Sequence, residues 1–150
     1  MAERQSVEGQ SAEGQNAEGQ NAEGQSIGQL IGPVELTVPA RSEHLRVMRL
    51  VATSVAASLD LDVDQLDDLR IAIDDLCSML IEDAPSEAKL HLSLQGRLGH
   101  LVAEGSVTGG RCGASIDPIS QLILDGLDLE WSNDEERACF HVVAPRQGVK

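Results

Sequence analysis

The sequence predicts an α+β fold: a two-layer sandwich with a mostly antiparallel sheet and its helices on one face. Three observations predict it. In residues 66–84, Leu66, Leu69, Ile73, Leu76, Leu80 and Ile81 recur three or four apart, the stripe of a long amphipathic helix. In residues 88–95, Ala88, Leu90, Leu92 and Leu94 alternate with Lys89, His91, Ser93 and Gln95, a strand with one buried face. The periodicities then follow the order strand, helix, helix, strand, strand, short helix, strand, strand.

The elements can be justified in turn. Residues 5–25 repeat every five positions as Gln-Ser/Asn-Ala/Val-Glu-Gly. A glycine in every unit and almost no large apolar side chain leave nothing to build a core from, so a disordered acidic tail is expected over residues 1–30. The folded domain is expected over 31–146, with 147–150 as a short tail. The first strand rests on Val34, Leu36 and Val38 and is closed by Pro39. Ser42 can cap a helix to about residue 58, with Leu45, Met48, Val51, Ala52 and Val55 inside.

Asp60, Asp62 and Asp64 have the alternate spacing of a calcium loop. Gln65 stands where that loop needs Gly, and Ile71 where it needs a bidentate Glu, so calcium is excluded. Asp62 or Asp64 suits the start of the long helix instead, with Asp67 and Asp68 near the positive end of its dipole. Pro85 ends that helix. Asp74 and Asp75 lie in its middle, and Arg70 four residues before Asp74 suggests a surface pair.

Gln95-Gly96-Arg97 is expected to turn the clear strand into another over 98–107. A Gly-rich run, 108–115, follows. Asp117 caps a short helix with Pro118 in its first turn and Ile119, Leu122 and Ile123 facing inward. Leu127, Leu129 and Trp131 mark a fourth strand, 132–136 a turn, and Ala138, Phe140 and Val142 a fifth strand. Trp131 and Phe140, the chain's aromatic residues, are expected to meet across that last hairpin.

Composition narrows the function. The net charge is −14, and five Glu against Arg4 put about four of those charges in the first 27 residues. The domain itself is therefore strongly acidic and repels a phosphate backbone, so basic protein surfaces are better partners than nucleic acid. Cys77, Cys112 and Cys139 show no CxxC spacing, and the four histidines are scattered, so no metal site is expected. No signal peptide or membrane-length apolar run is seen, which points to the cytoplasm and away from a membrane.

The order of elements, the opening LTVPARSEHLRVMR (36–49), the run LRIAIDDLCSMLIEDA (69–84) and the closing LILDGLDLEW (122–131) with ACFHVV (138–143) resemble the anti-sigma regulatory factors. These are serine-protein-kinase-like proteins with the gyrase and histidine-kinase ATP-binding (Bergerat) fold. The family's long helix reads A-[IV]-x-E-A-x-x-N-A-x-x-H-A. Laid on residues 72–84, its Glu falls on Asp75, its Asn on Met79 and its His on Asp83. The resemblance implies a catalytic role for Asp75, which keeps the carboxylate. It implies that Met79 stands where the magnesium-holding Asn belongs, and a thioether is a soft, weak acceptor.

The family's D-x-G-x-G motif corresponds to residues 104–110, which keep Gly105, Gly109 and Gly110 but have no Asp; Glu104 is a displaced acid at best. Gly113 belongs to a remnant of the Gly-rich lid. What this implies is a degenerate nucleotide site, binding no cofactor or ATP only weakly and without magnesium. The implied role is anti-sigma-type regulation of transcription by binding a sigma factor or its antagonist, by sequestration or partner switching. A homodimer through the first strand and helix is implied as well. Two other readings stay open: an active ATP-dependent serine/threonine kinase with Asp75 as base, and an α+β interaction module unrelated to sigma factors.

Overall fold

A computed structural model describes residues 30–82, 84–109 and 115–146. The repeat tail, apart from Leu30, and residues 147–150 lie outside the described residues, as do Asp83, Gly110 and Gly113. Strand β1 (Ile31–Pro39) leads through a 3-10 turn (Ser42–His44) into helix α1 (Leu45–Ser58) and then α2 (Val63–Glu82). A hairpin of β2 (Lys89–Arg97) and β3 (His100–Val107) follows, then helix α3 (Pro118–Asp125), then a hairpin of β4 (Glu130–Asp134) and β5 (Cys139–Ala144). The strands form one sheet in the order β1-β2-β3-β5-β4, every described pairing antiparallel.

The core follows from the period of two in the strands. Leu90, Leu92 and Leu94 of β2 are fully buried, beside Leu101 and Ala103 of β3 and Phe140 and Val142 of β5. Helices α1 and α2 cover that face with Met48, Ala52, Ala56, Leu69, Ala72, Ile73, Leu76, Cys77 and Leu80. The result is the expected two-layer α+β sandwich. With so few aromatic side chains, close-packed Leu, Ile, Val and Ala supply nearly all the apolar burial.

The run of aspartates is explained by helix ends. Asp60 takes a left-handed φ of 71° after α1. Its N–H donates to Ala57 O and the Leu61 N–H reaches back to Ala56 O, the paired bonds of a Schellman motif. Asp62 then opens α2: its carboxylate accepts from the Gln65 N–H (2.9 Å), and Gln65 Oε1 accepts from the Asp62 N–H (2.8 Å). This reciprocal capping box satisfies two helix-start donors and sets the helix start at Val63, three residues earlier than the apolar stripe alone predicts.

Several expectations are corrected. The β2–β3 turn is Leu98-Gly99, not residues 95–97, because Arg97 still pairs with His100 and Gly99 supplies the positive φ (78°). The Gly99 N–H also donates to Leu59 O at 2.6 Å, tying the hairpin tip to the end of α1. Leu127 and Leu129 are buried but precede β4, and residues 132–134 continue that strand. Trp131 sits opposite Val142, while Phe140 sits opposite Asn133, so the two rings are two residues out of register and stand diagonally, not face to face. The Trp131 Nε1–H instead donates to Asp125 at 2.9 Å.

The largest correction concerns α3. Asp117 caps it as expected, accepting from the Ser120 N–H at 2.9 Å, with Pro118 in the first turn. But Ile119, Leu122 and Ile123 are 71%, 74% and 44% exposed, and Leu124 is the residue of this helix that is buried. Of the other elements, this helix touches α2 most, and its main apolar stripe is left exposed.

Candidate functional site

Helix α2 positions Asp75. Ala72, Ile73, Leu76 and Cys77 fix the helix against the sheet, and the 3.6-residue period turns Asp75 outward beside the α3 end of the molecule. There a hollow of about 560 Å³ opens between α2, the segment after β1 and the start of α3. Asp75, Ser78, Met79 and Glu82 line it from α2, Ala40, Ser42 and Leu45 from the other side, and Ser115, Ile116, Asp117 and Ser120 from the α3 end.

Three carboxylates therefore line one concavity. Burial raises the Asp75 carboxyl above its usual range, and the negative charges of Asp74 and Asp117 add to that effect. Asp117 is itself lowered, because its carboxylate accepts the Ser120 backbone N–H. The sequence marked Asp117 only as a cap. Its part in the hollow, with that of Ser120 and Glu82, needed the packing of α3 against α2 to appear.

Met79 is almost wholly buried, and its thioether sulfur lies 3.9 Å from Asn133 Nδ2, a weak donor contact across to β4. Asp74 does not pair with Arg70. It accepts instead from the Arg49 guanidinium of α1, while Arg70 pairs with Asp67 at 3.3 Å. A basic residue N-terminal to an acid at four residues is the weaker helix orientation, and a cross-helix partner within reach displaces it. Burial first, and then the charge of Asp74, push the Cys77 thiol up to about 12, so it is an inert part of the core.

Gly105 is not at this hollow. It lies inside β3 beneath the Phe140 ring, opposite Leu92 and Phe140. Gly109 stands in the turn after β3, and Gly110 and Gly113 lie outside the described residues. Glu104 points to the open face of the sheet, where its carboxylate is 3.6 Å from His141 Nε2. On that face the register lines up Glu35, Ser93, Glu104, His141 and Ser132 in a cross-strand row, beside a groove of about 470 Å³. His91 faces the same way, its Nδ1 2.8 Å from Thr37 Oγ1. Among the described residues no group of three His, Cys, Asp or Glu is placed to hold a metal ion, and no helix is long and apolar enough to cross a membrane.

No family model matches the chain. Over 73 residues, 49% of this chain and 44% of the relative, it is 40% identical to an anti-sigma-F factor RsbW of Mycobacterium tuberculosis. It is 35% identical over 54 residues, 36% of this chain and 33% of the relative, to a serine-protein kinase RsbW of Halalkalibacterium halodurans. It is also 26% identical over 80 residues, half of each chain, to a serine-protein kinase RsbW of Bacillus thuringiensis. These homologues support the anti-sigma, kinase-like family. The chain spans half or less of the length of these relatives. The resemblance to the anti-sigma regulatory factors is thus accompanied by similarity to curated proteins, two of them at 35–40% identity over 54–73 residues.

Proposed function

We propose that this chain is an anti-sigma-type regulator that controls transcription in the cytoplasm by binding protein partners. The partner is a sigma factor or its antagonist, held by sequestration or exchanged by partner switching. The observation that carries this reading is Met79, which stands in the hollow beside Asp75 where the family resemblance implies an Asn.

The described lining does not fit magnesium-ATP. A triphosphate is polyanionic, and Asp75, Glu82 and Asp117 offer it three carboxylates and no cation. Magnesium demands hard oxygen ligands at near-ideal octahedral geometry, and the Met79 sulfur cannot serve as one. This lining therefore gives phosphoryl transfer no support. A homodimer through β1, an edge strand of the sheet, and α1 belongs to the same proposal.

One observation favours a second reading. The raised pKa of Asp75 moves a carboxylate toward the range where it works as a general base, as an ATP-dependent serine/threonine kinase would need. Affinity purification of the tagged full chain from its source organism, with mass spectrometry and reconstitution from purified components, tests the proposal. Recovery and direct binding of a sigma factor or an anti-sigma antagonist is expected. Stable recovery of a partner unrelated to transcription, with no binding to purified sigma factors, would overturn it.

A further inference from the structure

Helix α3 presents Ile119, Leu122 and Ile123 at i, i+3 and i+4, and all three are left open to solvent. The other exposed large hydrophobics, Leu30, Leu50, Val63 and Leu98, are spread over the approach to β1, α1, the start of α2 and the β2–β3 turn. Scattered exposed apolar residues need no explanation, but a helical stripe of them is the arrangement that anchors a partner helix. Folding leaves this stripe unused, because Leu124, with Leu127 just beyond the helix, seals α3 against the core.

Charge and area select the occupant. Asp117 at the start of the helix, Asp125 at its end and Asp128 just beyond are exposed. Among the described residues, Arg146 lies near that end and donates to Leu127 O. A second copy would bring acid against acid. Two turns of helix also fall well short of the ~800 Å² per partner that a stable interface of standard size buries. The repeat tail is acidic like the rim and almost without large apolar side chains, so its sequence complements neither the charge nor the apolar character of the stripe.

We propose that α3 is a docking face for a short amphipathic helix of another protein. That helix carries apolar anchors three and four residues apart and lysine or arginine flanks that meet the acidic rim. The site goes beyond the reading as a transcription regulator: it needs no nucleotide and no particular partner identity.

The full chain, labelled at its Ile and Leu methyl groups, is titrated with three synthetic peptides and followed by NMR. One has Leu anchors at helical spacing and Lys flanks, one has Glu in place of Lys, and one has Ser in place of Leu. The leucine–lysine peptide alone should shift the Ile119, Leu122 and Ile123 methyls saturably. Leu122→Ser should weaken it about five- to tenfold, the loss of one anchor worth ~1–1.4 kcal/mol, while Leu50→Ser on α1 leaves it unchanged. Both side chains are mostly exposed, so neither change threatens the fold. Shifts at other methyls instead, equal binding of the glutamate peptide, or an inert Leu122→Ser would overturn the proposal. A dimer in sedimentation that Leu122→Ser dissolves would assign the face to a second copy and overturn it equally.

Discussion

Gly105→Ala separates a packing glycine from a nucleotide-binding one. A Cβ at Gly105 would lie 2.3 Å from Phe140 Cε2, 2.4 Å from Cζ and 3.1 Å from Cδ2. Carbon atoms settle at ~3.5–4.0 Å, so the ring would have to retreat by about 1 Å or more. It has little room, because Phe140 is 2% exposed and the neighbouring Leu92 and Val142 are fully buried. Overpacking of this kind costs ~1–3 kcal/mol, and the lower entropy of an unfolded chain carrying Ala offsets ~0.4–1 kcal/mol of it. The expected net loss is about 1–2 kcal/mol, a sizeable share of a stability of ~5–15 kcal/mol. Urea unfolding followed by Trp131 fluorescence reads it, since Trp131 lies on the strand next to Phe140's. Phe140→Leu removes the clashing ring atoms, so the double variant should be more stable than the two single losses predict, by about 1 kcal/mol. A loss under ~0.5 kcal/mol, or strict additivity with Phe140→Leu, would refute the packing role. Unchanged stability with lost nucleotide binding would return Gly105 to the site that the resemblance implies.

Three further outcomes follow from the same geometry. Asp60→Gly should raise stability by about 0.5–1 kcal/mol in urea unfolding, because Gly holds the left-handed Schellman position without Cβ strain. Asp62→Ala removes the acceptor for the Gln65 N–H and should cost about 1 kcal/mol, with a matching fall in the thermal midpoint. For Asp75, the folded state holds the proton to a higher pH than the unfolded chain does, so this group lowers stability as pH rises from its unfolded pKa through its folded one. Asp75→Asn should therefore be at least as stable as the parent chain at about pH 7, and that advantage should vanish below about pH 4, where both states are protonated. Thermal melts of both proteins across that range check the sign.

The sheet was legible because its signal is local. Leu90, Leu92 and Leu94 alternate with polar residues, and each is fully buried. The long helix was legible for the same reason, though its start was set by the Asp62–Gln65 box and not by the apolar stripe. The β2–β3 turn shows the limit of composition: Gly96 and Gly99 both suit a turn, and only the pairing of Arg97 with His100 decides between them. Ile119, Leu122 and Ile123 show the limit of periodicity, since an amphipathic stripe has the same spacing whether it faces a core or a partner. At the candidate site, Asp75 could be marked from the sequence. Asp117, 42 positions further on, joins it only through the packing of α3 on α2. The Arg49–Asp74 pair has the same origin, because residues on two helices meet by tertiary packing and leave no trace in local spacing.

The central proposal is that this α+β domain works through protein contacts and not through nucleotide chemistry. Isothermal titration of the full chain with ATP, in the presence and absence of magnesium, tests it most directly. The expected result is no saturable heat with magnesium-ATP at micromolar concentrations and no gain in affinity from the metal, in keeping with Met79 and the three carboxylates of the hollow. Magnesium-dependent ATP binding in the micromolar range, lost in Asp75→Ala, would contradict the claim and return the site to kinase chemistry.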